Sequence, residues 1–98
     1  MSRQCFVLVH GAWHGAWAWQ SVAKRLRDLG HQVIAVDLPG YGSNKGSDAV
    51  VSLDSYIDHV GEVIQQQKQA VSLVGHGMAG AVISGAAERF PQRICHLI

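Results

Sequence analysis

The stretch from Ala70 to Gly80, AVSLVGHGMAG, constrains the chain more than any other. Ala70 to Val74 is a short, mostly apolar run rich in β-branched residues, the pattern of a strand buried on both faces. Gly75-His76-Gly77-Met78-Ala79-Gly80 then turns sharply, and helix-compatible residues run from Met78 to Phe90, where Pro91 closes them. A strand, a tight glycine turn and a helix in that order build one of two devices. A nucleophile elbow, G-x-S-x-G, lifts a serine above the sheet. A dinucleotide fingerprint, G-x-G-x-x-G, lets a pyrophosphate approach the helix N-terminus. The spelling satisfies the second and misses the first at one position, where Gly77 stands in place of the serine.

The remaining segments supply a sheet around that turn. Cys5 to Val9 is a second continuous apolar run, and it ends in His10-Gly11. A loop with the near-repeat H-G-A-W follows, Ala12 to Trp19, whose glycines and rings suit a backbone that something must approach. Trp19, Val22, Ala23, Leu26 and Leu29 step by three and four, which predicts an amphipathic helix stopped by Gly30. Gln32 to Val36 reads as a strand closed by the turn Asp37-Leu38-Pro39-Gly40-Tyr41-Gly42. Ser43 to Val51 reads as loop. Ser52 is placed to cap a helix carrying Leu53, Tyr56, Ile57, Val60, Val63 and Ile64 on one face. Arg93 to Ile98 begins a fourth strand.

The order β-α-β-α-β-α-β predicts an α/β fold with four parallel strands in the order 2-1-3-4 and helices on both faces. The reversal between the first and third strands makes a crevice at their carboxyl ends, and the two glycine loops, His10 to His14 and Gly75 to Gly80, sit there. A chain of 98 residues makes one domain, 1–98. A formal net charge of +1 gives no reason to expect nucleic acid or an anionic membrane as partner. No apolar run has the length of a membrane span, and no signal-peptide pattern opens the chain, so the expected compartment is the cytoplasm. Cys5 and Cys95 each stand in an apolar run and are expected as buried, reduced thiols.

A dinucleotide site fits poorly. Its fingerprint follows the strand that opens the unit and needs an acidic residue about 20 positions on. Here the turn follows the third strand, and Glu88, within the helix, is the last acidic residue of the chain. The three motifs Val7-Leu8-Val9-His10-Gly11, Asp37-Leu38-Pro39-Gly40-Tyr41-Gly42 and Val74-Gly75-His76-x-Met78-Ala79-Gly80 instead resemble the α/β-hydrolase superfamily in kind, order and spacing. With His14-Gly15-Ala16-Trp17 in place, the chain is most similar to the short esterase branch that includes plant methylesterases and hydroxynitrile lyases. The resemblance covers essentially the whole chain and matches the N-terminal half of that fold.

The resemblance implies a site for carboxylic esters. In this family a serine at the elbow attacks the ester carbonyl, and two backbone amides hold the oxyanion. Carried onto this chain, the nucleophile position is Gly77, the oxyanion donors are the amides of Ala12 and Met78, and Gly11 and His14 touch substrate. Gly77 has no hydroxyl, so no acyl-enzyme forms by the family route. The family's acid and histidine follow the nucleophile. After residue 77 only Glu88 and His96 are available, and His96 lies within a strand, so the domain is expected to be partial and catalytically incompetent. The competing expectation is a non-catalytic protein that keeps the crevice and holds a small ester or carboxylate.

Other residues carry plainer expectations. His10 is expected as a hydrogen-bonded loop residue, His76 as local packing beside the nucleophile position, and Asp37 as a tie within its own turn. Trp13, Trp17 and Trp19 are expected to pack in the core and loop. His10, His14 and His76 lack ligand spacing, so neither a metal nor a cofactor is expected. The outer, apolar edge of Arg93 to Ile98 is a candidate surface for self-association.

Overall fold

The computed structural model describes residues 3–39 and 52–98. The predicted loop Ser43 to Val51, and Gly40-Tyr41-Gly42 of the turn before it, lie outside those residues. Strand β1 (Cys5–Val9) holds the centre of the sheet because its residues are apolar on both faces. It pairs in parallel with β2 (Gln32–Val36), Cys5 opposite Gln32 and Val9 opposite Val36. On its other side it pairs in parallel with β3 (Val71–Gly75), Phe6 opposite Ser72 and Val9 opposite Gly75. Strand β4 (Ile94–Leu97) lies outside β3. The observed order is β2-β1-β3-β4, all parallel, as the sequence predicts.

Alternation along the strands divides the core into two layers. Val7, Val9, Val71 and Leu73 pack with Ile57, Val60 and Ile64 of α2 (Leu53–Gln65) and with Val82, Ile83 and Ala86 of α3 (Ala79–Arg89). Leu8 and Val33 face the other way and pack with Ala23 of α1 (Gln20–Asp28). The helices therefore cover both faces of the sheet.

Local chemistry sets the helix ends. Ser52 and Ser55 form a reciprocal capping box: the Ser55 amide donates to Ser52 Oγ at 3.1 Å and the Ser52 amide to Ser55 Oγ at 2.8 Å. At the end of α1, Gly30 has φ 93°, its amide bonds to Arg27 O, and the His31 amide bonds to Leu26 O. This 6→1 and 5→2 pair satisfies carbonyls that the helix leaves open. Two glycines let α2 and α3 approach each other: a Cβ on Gly61 would lie 2.5 Å from the Phe90 ring, and one on Gly85 would overlap Ile57. Arg89 of α3 adds exposed ion pairs to Asp54 and Asp58 of α2.

Two expectations are corrected. Val22 and Leu29 are exposed, and Ala23 is the buried residue of α1. A single short helix covers this face, so only its inward line reaches the sheet, while Val22 turns toward an open pocket. Cys95 is exposed whereas Cys5 is buried, both as free thiols. The β3–β4 register jumps from Val71–Ile94 to Ser72–His96, a bulge that leaves Cys95 outside the ladder. Burial pushes the Cys5 thiol up from its ordinary pKa; the nearby Cys95 adds to the rise and Arg3 opposes it. Among the described residues no helix is long and apolar enough to cross a membrane.

Candidate active site

The two loops predicted to converge do so because β1 and β3 are adjacent and end in register. The His76 amide donates to Val9 O at 3.2 Å, carrying the pairing past the end of β3. Gly11 sits against the second loop: a Cβ there would lie 2.9 Å from His76 Nδ1 and 3.0 Å from His76 O. Any larger residue at 11 would push the loops apart.

Side chains then fix the first loop. His10 is buried, with Nδ1 at 2.8 Å from Gly11 O and Nε2 at 3.1 Å from the Leu38 amide. A carbonyl only accepts and an amide only donates, so the pair specifies a neutral imidazole protonated on Nδ1. Both ring nitrogens are engaged, in line with a loop tie and against a base or a metal ligand. His14 Nδ1 lies 2.8 Å from Ala12 O, and its ring stacks against Trp17 at 5.5 Å. Asp37 Oδ1 accepts the Ala16 amide at 2.7 Å. Asp37 was expected to tie its own turn, most of which lies outside the described residues; the structure has it reaching across to the H-G-A-W loop, because the crossover from β1 to β2 returns beside its own start.

The second loop is built around Gly77, which has φ 60°. Among the described residues, no heavy atom beyond its own chain neighbours lies within 4 Å of where its Cβ would stand. An exposed, left-handed residue between a strand end and a helix start is the geometry an elbow requires, and glycine holds it without strain. The amides of Ala79, Gly80 and Ala81 bond back to His76, Gly77 and Met78 and start α3. Among the described residues, the amides of Ala12 and Met78 donate to no backbone carbonyl.

Between the loops and α1 lies an open pocket of about 230 Å³, lined by Gly11, His14 and His76 with Trp19 and Val22. The His14 and His76 rings meet edge to face at 5.9 Å. The structure thus brings Gly11 and His14 to one pocket, while Ala12 and Met78 occupy the same loops outside its lining. His76 was expected as packing; it is exposed and forms a pocket wall. Nothing in the spelling of the turn marks that orientation. Val22 was equally hidden, since it reads as an ordinary apolar helix position.

The tryptophans also depart from expectation. Trp19 packs against the Leu8 layer, but Trp13 is 91% exposed and Trp17 64% exposed. Trp13 has φ 68°, a conformation costing a bulky residue of order ~1–3 kcal/mol. The tight turn after Gly11, closed by the His14 amide on Gly11 O, forces that backbone and throws the indole outward.

Comparison with known proteins agrees with this geometry. Residues 6–97 match the sequence profile of the alpha/beta hydrolase family. Methyl jasmonate esterase 1 of Vitis vinifera is 44% identical over 92 residues, covering 91% of this chain and 35% of that protein. The carbendazim hydrolyzing esterase of Nocardioides sp. (strain SG-4G) is 40% identical over 95 residues, covering 95% of this chain and 39% of that protein. The crystal structure of polyneuridine aldehyde esterase superposes with a TM-score of 0.89 at 33% identity, covering 98% of this chain and 39% of that one. The chain belongs to the alpha/beta hydrolase family, within a branch of esterases that resembles the plant methylesterases. It spans 35–39% of the length of these curated relatives.

Proposed function

We propose that this chain keeps the carbonyl-binding half of an ester hydrolase and, by itself, performs no hydrolysis through an acyl-enzyme. The carrying observation is Gly77: it occupies the left-handed elbow position with open space around it and has no hydroxyl. Acyl transfer in this family needs that oxygen to form a bond to the carbonyl carbon. Backbone donors do not depend on side chains. The amides of Ala12 and Met78, which have no backbone partner among the described residues, therefore support an oxyanion hole that persists without its nucleophile, with Gly11 and His14 contacting the ligand. Its partner would be a small carboxylic ester or the corresponding carboxylate.

Those same two amides, without a backbone partner among the described residues, favour a second reading, a protein that binds a small carboxylate and turns nothing over. A cytoplasmic setting, in which both cysteines stay reduced, is part of the same proposal.

The test is turnover of p-nitrophenyl acetate with and without a serine-directed phosphonate probe. The expected result is a rate indistinguishable from buffer plus exposed histidines, and no probe adduct by mass. Turnover abolished by the probe would overturn the role given to position 77.

A further inference from the structure

We propose that His10 is a positioning residue for the crevice, fixing the Gly11–Ala12 peptide plane and so setting the direction in which the Ala12 N–H meets a ligand oxygen. This rests on the carbonyl-binding reading of the two loops. His10 is 1% exposed, and its Nδ1–H donates to Gly11 O at 2.8 Å. The Gly11 carbonyl and the Ala12 N–H belong to one peptide unit. No cis bond occurs among the described residues, so that unit is planar and trans, with its C=O and N–H pointing in opposite directions. Holding the oxygen therefore fixes the donor.

Tying the loop to the turn after β2 needs only Nε2, which accepts the Leu38 amide at 3.1 Å. The other ring nitrogen lands on the carbonyl whose own peptide carries the proposed donor. Gly11 O also accepts the His14 amide at 3.2 Å, so both of its lone pairs are used. A flipped peptide would lose both bonds and leave a buried Nδ1–H without an acceptor. The next peptide plane is held the same way, by His14 Nδ1 on Ala12 O at 2.8 Å. Trp13 follows at φ 68°, a costly backbone adopted just past two braced planes, as over-determined surroundings allow. The bonds run in series from the Leu38 amide through the imidazole to the Gly11 carbonyl, and such chains polarise their members. Polarising that carbonyl strengthens the N–H of the same peptide. The Ala12 amide, with no backbone partner among the described residues, is preorganised for a negative oxygen.

Two substitutions separate the ring nitrogens. His10→Asn places a carboxamide N–H where Nδ1 stands and keeps the Gly11 bond, whereas His10→Gln places an oxygen where Nε2 stands and keeps the Leu38 bond alone. The direction of the Ala12 N–H is read from its residual dipolar coupling, and acetate affinity from the shift of its ¹⁵N resonance. His10→Asn should retain the native coupling and bind acetate within about threefold of the native chain. His10→Gln should change the coupling and weaken acetate by about tenfold or more, the loss of one hydrogen bond to a charged group. In the native chain itself, the ¹⁵N shifts of His10 should report a protonated Nδ1 and an unprotonated Nε2; the opposite tautomer would overturn the proposal without any variant. An unchanged Ala12 coupling and acetate affinity in folded His10→Gln would overturn it alone, leaving the carbonyl-binding reading in place. If acetate moves the Ala12 amide in neither the native chain nor His10→Asn, the carbonyl-binding reading fails and takes the proposal with it.

Discussion

At Gly77 a side chain would meet no neighbour among the described residues, yet the backbone sits at φ 60°. Substitution there is thus limited by conformation and not by space. Gly77→Ser should destabilise by about 1 kcal/mol, lowering the thermal midpoint by roughly 4–8 °C in a chain of this size. An unchanged midpoint in a melting experiment would mean the turn is not a strained elbow. His10 argues the opposite case, a side chain that cannot be spared. His10→Ala strands the Leu38 amide and should cost at least ~1–3 kcal/mol by chemical denaturation. Both residues were legible in the sequence, Gly77 from the missing serine and His10 from its place at a strand end. Trp13 and Trp17 were not. Aromatic composition suggests burial, and only backbone geometry shows a ring turned outward.

The helices were legible as elements and less so in what they bury. Ser52 announced its cap, and the apolar face of α2 packs as the spacing predicts. The face of α1 did not, because periodicity reports which residues share a side but not how much sheet lies beneath it. The α2–α3 contact turns on side-chain volume. Alanine is a better helix former than glycine by about 1 kcal/mol. Gly61→Ala should nevertheless destabilise, since its Cβ would meet the Phe90 ring, while Gly80→Ala, with open space, should be neutral or stabilising. Parallel urea titrations decide it; equal shifts in the two variants would remove the close approach from the account.

The architecture of the molecule was legible because connectivity leaves few options: three helical crossovers between apolar runs dictate a parallel sheet, and the order 2-1-3-4 follows from pairing β3 beside β1. The bulge that exposes Cys95 was not, since a one-residue register shift leaves no mark in composition. The raised Cys5 thiol couples the core to pH. The folded state disfavours the thiolate, so as pH rises the unfolded chain loses this proton first. Stability is complete below the thiol's ordinary range, declines as pH climbs through it, and should flatten in Cys5→Ala when unfolding is followed against pH. On the outer side of β4, Leu97 and Ile98 are exposed. We propose self-association along the Arg93 to Ile98 edge, and size-exclusion chromatography giving a concentration-independent monomer would contradict it. The most direct measurement of the central claim is an acetate titration followed at the backbone amides of Ala12 and Met78 by ¹⁵N NMR. Both resonances should shift together with one dissociation constant, as two donors on one oxygen require. Independent shifts, or movement at neither amide, would contradict an oxyanion site shared between the two loops.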